Sequence, residues 1–460
     1  MEVGIMEVGM RTEAPARQSR RRVLAATAMQ SAGMMVALAA CGLGGGGQEA
    51  PAAGAQPKEI TLIKTQGTDV GERAWQATFD AATAATKVKV NLIREPSGSS
   101  FWDKRQAEFA AGSGPDVTYN QLNWFIVGGL KGMFIDHLPL FKRDKIDTSQ
   151  YIKTEFESWQ WKGKLWAIPF QSGGEGVMIN RKLFDEKGVK YPTRDWTYDD
   201  LLQLCQKLND PARGIAAIVI GQNGIQYMMG TFMRNFGGKV LNEARNKALY
   251  ADDNNSVRGT ELDVDLHVRY KYTPTPEITA AVPQGSTPFR AGKVAIQIDY
   301  LGGHAAAREA LGADALDFAP PPKGPTGIQM ARVAGNSWSI LALSKVQEAA
   351  WQVLKWTHTK EGMLNTPQMQ AIAWPPLIWA AESPQWLAPF KGTRMEDAQK
   401  VWQCCGHNQV VLPEGDLAIT TMNAPMNRAL AGEIATRDAL RQSADAVNAL
   451  FAQRPKEWEL

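Results

Sequence analysis

The chain has 460 residues, with 50 Lys+Arg against 47 Asp+Glu and a net charge of +3. That balance excludes a charge-driven nucleic-acid binder and an acidic solvating tail. At 44% hydrophobic and 21% charged the composition is globular, and four Cys are too few for a disulfide-built scaffold.

No apolar run reaches the ~18 residues of a confident membrane span. His137, His267, His304, His358 and His407 are scattered, with no HxH or HxxxH pair. The 15 Trp are the unusual feature, because large flat side chains need a core or a ligand face to cover them.

In chain order, residues 1–40 read as an export signal. Ser19-Arg20-Arg21-Arg22-Val23-Leu24 precedes an uncharged stretch from Ala25 to Ala40, a basic region followed by a short apolar one. The order resembles a twin-arginine signal. The stretch ends Leu38-Ala39-Ala40-Cys41, which resembles a bacterial lipobox and implies lipidation at Cys41. The competing reading is an N-terminal amphipathic or membrane helix. Residues 41–57 read as a flexible tether rich in Gly, Ala and Pro, too poor in apolar area to fold. Its sixteen residues after Cys41 span roughly 22 Å as flexible coil. A single acyl chain holds weakly, so a stable anchor implies two or more.

The body reads as α/β. Glu59–Ile63 is a strand, and Trp75, Phe79 and Ala82 then recur at helical spacing. Val88, Val90 and Leu92 alternate as a second strand. Trp102 and Phe109 mark a helix that stops at Gly112-Ser113-Gly114-Pro115, and Asp116–Tyr119 is a third strand. Strand, helix, strand, helix, strand argues for a mostly parallel sheet covered by helices. Further strands are expected at Leu165–Phe170, Ile215–Ile220 and Val294–Ile298.

Thr197-Tyr198-Asp199-Asp200 and Ser344-Lys345-Val346-Gln347 resemble capping boxes ahead of apolar stripes. Val257–Tyr272 is partly alternating and read as helix. Met426, Leu430, Ile434, Leu440, Val447 and Phe451 mark one long C-terminal helix. About 400 folded residues exceed one α/β core, so two lobes are expected.

The sequence lacks a GxSxG elbow, an HExxH, a Walker A loop and a Rossmann GxGxxG after a strand. Cys404 and Cys405 are adjacent, which excludes a CxxC metal half-site and leaves a strained vicinal disulfide as one alternative. Cys205 lies on an apolar stripe and reads as core.

Several segments resemble the extracellular solute-binding proteins of ABC importers, the sugar-specific maltose-binding type. They are AEFAAGSGPDVTYNQLNWF (107–125), WKGKLWAIPFQSGGEGVMINRKLFDEKGV (161–189), WTYDDLLQLCQKL, FGGKVLN at 236, FRAGKVAIQIDY at 289, LDFAPPPKGP at 316, and VAGNSWSILALSKVQEAAWQVLKWT from 333. The resemblance implies a two-lobed periplasmic-binding-protein-like fold with a hinge and discontinuous lobes. One lobe would hold 58–168 and 318–370, the other 169–317 and 371–460. It implies a lipid-anchored, extracytoplasmic monomer that closes on a mono- or oligosaccharide and delivers it to a membrane permease. No catalytic group, metal, cofactor or nucleic acid is implied.

A sugar offers apolar ring faces to aromatic side chains and hydroxyls to amides, carboxylates and guanidinium groups. In open α/β sheets such sites lie beyond the carboxyl ends of the strands. The candidates placed there are Gln66, Asn120, Asn123, Trp124, Gln171, Glu175, Gln222, Tyr227, Asp299, Tyr300, Asn336, Trp338 and Trp374. Asn120 and Gly302 stand where maltose binders carry aromatic residues, which argues against a maltodextrin. Glycerol phosphate, a polyamine or ferric ion remain alternatives on the same fold. So does a secreted carbohydrate-active enzyme, which needs two facing carboxylates.

Overall fold

The computed structural model describes residues 59–67, 69–221, 223–364 and 374–460. The expected export signal, the tether, Cys41 and Gln222 lie outside the described residues. All the described residues fall within a single unit that runs from Ala55 to Leu460.

Three strands open this unit: β1 (Glu59–Thr65), β2 (Lys89–Glu95) and β3 (Val117–Asn120). The helices Asp69–Thr86 and Ser99–Ala110 connect them. β1 pairs in parallel with both neighbours, Leu62 facing Leu92 on one side and Val117 on the other. A short hairpin follows, β4 (Gln160–Trp161) with β5 (Lys164–Leu165), and then β6 (Ile168–Gln171). The strand expected over Leu165–Phe170 is therefore divided, because Leu165 pairs back onto Gln160.

The remaining strands are β7 (Glu175–Asn180), β8 (Ala216–Ile220), β9 (Val294–Tyr300), β10 (Leu316–Ala319), β11 (Ala331–Val333), β12 (Asn336–Ile340) and β13 (Gly406–Asn408). They complete two principal sheets, ordered β2-β1-β3-β12-β6 and β10-β7-β9-β8. β3 and β7 are buried along their whole length, as expected of strands covered on both faces. The result is an α/β fold of two lobes, one around each sheet.

Packing explains the Trp content. Trp338 on β12 is fully buried, stacks on Phe170 at 4.4 Å and meets the edge of Trp75 at 5.3 Å. A second core surrounds the four-stranded sheet and includes Cys205. A third joins the helices Met228–Asn235, Asn254–His267, Asp416–Leu430 and Thr436–Phe451.

Several local expectations need correction. The C-terminal helix is two helices, Asp416–Leu430 and Thr436–Phe451, separated by a turn in which Gly432 has φ 75°. The helix expected over Val257–Tyr272 starts earlier, at Asn254, and ends at His267, so Tyr270 and Tyr272 lie beyond it. The box at Thr197 and Asp200 forms in both directions. The one at Ser344 does not: the Ser344 hydroxyl bonds Asp116 instead (2.7 Å), and the following helix starts after Val346 without a side-chain cap. Cys404 and Cys405 are joined to each other. No helix among the described residues is long and apolar enough to cross a membrane.

Removing a buried Trp from this core costs about 3–5 kcal/mol, and removing an N-cap hydroxyl about 1 kcal/mol. Urea denaturation of Trp338→Ala and Thr197→Ala is expected to show losses of that order. A Trp338→Ala loss below that of Thr197→Ala would contradict the core placement.

Candidate functional site

The chain leaves the five-stranded sheet through Ser172–Gly174 and returns to it through β11 and Ala334–Gly335. These stretches run side by side. Gly174 bridges Val333, Ser172 bridges Trp374, and the Ala334 amide donates to the Gly173 carbonyl at 2.9 Å. β13 lies parallel to β11, with Arg332 opposite His407.

A cavity of about 120 Å³ opens beside this crossing, far above the ~10–15 Å³ that one water needs. Gln121, Leu122 and Asn123 reach it from the loop after β3, and Tyr300 from the end of β9. Tyr227 comes from the turn before the helix Met228–Asn235. Arg332, Ala334, Gly335 and Asn336 come from the returning chain, and Gln409 from the residue after β13. The walls thus come from both lobes, and the β3 and β9 contributions lie at carboxyl ends of strands, where α/β sheets bind ligands.

Hydrogen bonds fix these side chains. Gln171 Nε2 donates to the Tyr300 hydroxyl (2.8 Å), which donates to the Ser172 carbonyl (2.7 Å). The Tyr119 hydroxyl donates to Asn336 Oδ1 (2.6 Å) and accepts from Gln121 Nε2 (3.1 Å). Arg332 is buried, donates to Gln409 Oε1 (2.9 Å) and sits 5.1 Å over the Tyr227 ring. The Asn123 amide bonds Asp416, the first residue of the helix Asp416–Leu430, and Trp124 Nε1 donates to the same carboxylate (2.9 Å). That helix packs in the third core with the helix Met228–Asn235, so Asp416 holds the β3 loop from the opposite wall.

Of the sequence-predicted candidates, Asn123, Tyr227, Tyr300 and Asn336 are brought together at the cavity. The other described candidates are placed elsewhere. Gln66 is exposed, with its backbone amide bonded to the Glu95 carbonyl. Asn120 is buried and ties β3 to β12 through Ser339 (3.0 Å). Trp124 packs against Trp102 and Phe101. Trp338 and Trp374 are core residues, Trp374 lying edge-on to Trp402 at 4.6 Å. Gln171 stands behind Tyr300 and touches the cavity only through it.

Glu175 is fully buried beside the Thr231 hydroxyl, and Asp299 accepts from Gln297 (2.9 Å) and from the Tyr300 amide (2.7 Å). Arg332 and Gln409 are among the cavity residues that had no sequence expectation. Arg332 was legible as a lone charge inside an apolar strand run, Ala331-Arg332-Val333. Gln409 carried no signal, because it arrives from a distant segment.

The cavity lining holds amides, a guanidinium and two phenols, and no carboxylate. Behind it lies a buried acidic layer. Burial pushes Glu155 and Glu175 up to about 8 and raises Asp299, while the Arg332 guanidinium pulls each of them back in part. Burial, with Arg234 and Arg332 nearby, holds His407 well below the usual imidazole range. The site can therefore offer donors, acceptors and flat ring faces to an uncharged polyhydroxylated molecule. Among the described residues no group of His, Cys, Asp and Glu is arranged to hold a metal.

Residues 67–363 match the profile of the family described as bacterial extracellular solute-binding protein. An erythritol/L-threitol-binding protein of Mycolicibacterium smegmatis is 24% identical over 380 residues, 75% of this chain and 78% of that one. A mannitol-binding protein of Pseudomonas aeruginosa is 23% identical over 61% of this chain and 67% of that one. Among solved structures, an ABC substrate-binding protein of Listeria monocytogenes in complex with cycloalternan superposes with a TM-score of 0.74. It has 18% identity and covers 87% of this chain and all of its own, a likeness of fold.

The acidic layer has a pH consequence. Native Glu175 keeps a proton up to about pH 8, whereas its ordinary value is 4.5. The folded state thus binds more protons than the unfolded state between those values, so stability is full below the lower one and falls as pH rises to the upper. The slope is at most about 1.4 kcal/mol per pH unit for each such group. Urea midpoints measured from pH 5 to pH 8 should fall for the natural chain and fall less for Glu175→Gln. Parallel pH profiles for the two would refute the assignment.

Proposed function

Because the chain belongs to the bacterial extracellular solute-binding protein family, we propose that it captures a small sugar or polyol outside the cell and hands it to an ABC transporter permease. The observation that carries this reading is the cavity lining: Gln121, Asn123, Asn336 and Gln409 amides with the Arg332 guanidinium, between Tyr227 and Tyr300. Amides and guanidinium are planar partners for adjacent hydroxyls, and the rings cover C–H faces. The names of the two curated relatives, binders of erythritol/L-threitol and of mannitol, agree with a ligand of few carbons. A small cavity supports the same choice over a long maltodextrin.

In this reading the ligand bridges both walls, and its differential contacts shift the lobes toward the closed state. The sheets support lobes of about 59–171 with 336–364, and about 175–319 with the helices Asp416–Leu430 and Thr436–Phe451, with Phe318 and Ala319 pairing in the second sheet. The protein acts as a monomer without catalysis, tethered through lipidated Cys41 to the outer face of the membrane. Glycerol phosphate is disfavoured by a cavity with one guanidinium, and a polyamine by the lack of a carboxylate in its lining.

A ligand present at one hundred times its dissociation constant adds about 2.7 kcal/mol of stability. A thermal-shift screen of the purified protein should therefore show a shift of several degrees with a tetritol, hexitol or monosaccharide, and the ligand should be recovered unchanged. Tyr227→Ala should weaken that binding about tenfold, near 1.4 kcal/mol. Asn120→Ala should lower stability while leaving affinity nearly unchanged. A response to glycerol phosphate, spermidine or ferric citrate alone would overturn the ligand class, and chemical conversion of the sugar would overturn the binding-protein reading.

A further inference from the structure

Beyond the small cavity, a second and larger cleft of about 780 Å³ lies between the two lobes. One wall holds Lys64, Glu72, Arg73 and Trp75 from β1 and the following helix, and the other holds Arg290 and Gly302. Tyr300 lines the small cavity, and its ring covers Gly302, which lines the larger cleft. One ring edge lies directly over Gly302, where even a Cβ would collide with it. Its other side meets Gly173, where a Cβ would come within 2.5 Å of the ring. The hydroxyl is held at both ends of its hydrogen-bonding capacity, by Gln171 (2.8 Å) and by the Ser172 carbonyl (2.7 Å). A ring confined between two glycines and pinned at its tip cannot swing aside without breaking both bonds.

We infer that Tyr300 is a partition that sets ligand length: it closes the small cavity against the larger cleft and so restricts the site to ligands about one sugar unit long. This rests on the sugar or polyol reading of the cavity and deepens it. The larger cleft has the charged hydrogen-bonding groups of Arg73 and Arg290 in front of the buried Trp75, so it could accept the hydroxyls of further sugar units once joined to the cavity. Tyr300 is then the residue that decides between a short-ligand and an oligosaccharide binder.

The test is isothermal titration of the natural protein, Tyr300→Ala and Tyr300→Phe with erythritol, mannitol, glucose, maltose and maltotriose. The natural protein is expected to bind at least one of the first three at least tenfold tighter than maltotriose. Tyr300→Ala is expected to raise the ratio of maltotriose to short-ligand affinity at least tenfold. Tyr300→Phe keeps the ring and is expected to retain the natural ratio with weaker binding. Maltotriose binding the natural protein as tightly as the short ligands would overturn the partition whether or not the alanine variant folds. Short-ligand binding with the same length profile in natural protein and Tyr300→Ala would overturn the partition alone. No binding of any probe to any of the three proteins would overturn both the partition and the sugar or polyol reading.

Discussion

Everything near the cavity depends on how closely the chain passes itself between the two sheets. Ser172–Gly174 going out and Val333–Gly335 coming back share backbone pairing, and Trp374 pairs with Ser172 on the far side. That spacing admits no side chain at Gly335, whose Cβ would strike the Gln171 carbonyl, nor at Gly174, whose Cβ would strike the Trp402 ring. The glycines are required by close approach of backbone and ring, not by a turn. Because the crossing is narrow, residues from both of its sides and from β13 face one small space, and Arg332, Asn336 and Gln409 reach the same cavity.

The crossing also explains why polar groups are buried there. Burying charges carries a desolvation cost that pairing does not always repay. Glu155 accepts from Trp159 Nε1 (2.8 Å) and Ser172 Oγ (3.2 Å), whereas Glu175 accepts from Thr231 and the Arg332 backbone amide (3.4 Å) on Oε2 alone and its Oε1 has no hydrogen-bond partner. Raised carboxyl values reduce the cost further, since a neutral acid needs less compensation than a carboxylate. These groups hold the crossing segments, while the cavity itself is lined by amides, phenols and the Arg332 guanidinium, with no carboxylate. Asp416 does the corresponding work at the far wall, holding Asn123 and Trp124 together.

Much of the fold was legible in the sequence because it is written locally. The β1, β2 and β3 strands follow from alternation and apolar runs, and the Thr197 box from four consecutive residues. What failed was decided by tertiary context. Apolar spacing continued through Ala431–Ala435, yet the chain turns there and packs two helices against each other. Ser344 has the right spacing for a cap but finds a partner in Asp116, 228 residues away in sequence. At the site, position after a strand pointed to Asn123, Tyr300 and Asn336, which the structure brings to the cavity. The same rule misplaced Asn120, because Ser339 on the adjacent strand takes its amide. It misplaced Trp338 and Trp374 too, because a Trp satisfies a core as well as it satisfies a sugar. No local pattern distinguishes those two outcomes.

The central claim is that one short polyhydroxylated ligand sits between the lobes, between Tyr227 and Tyr300 and against Arg332. The measurement that tests it most directly is a crystal structure of the protein grown with the tightest sugar or polyol found by thermal shift. The account predicts density in that cavity, with ligand hydroxyls bonded to the amides of Asn123, Asn336 and Gln409 and to the Arg332 guanidinium. Density beside Trp75 and Arg290 instead, with the cavity holding only water, would contradict it.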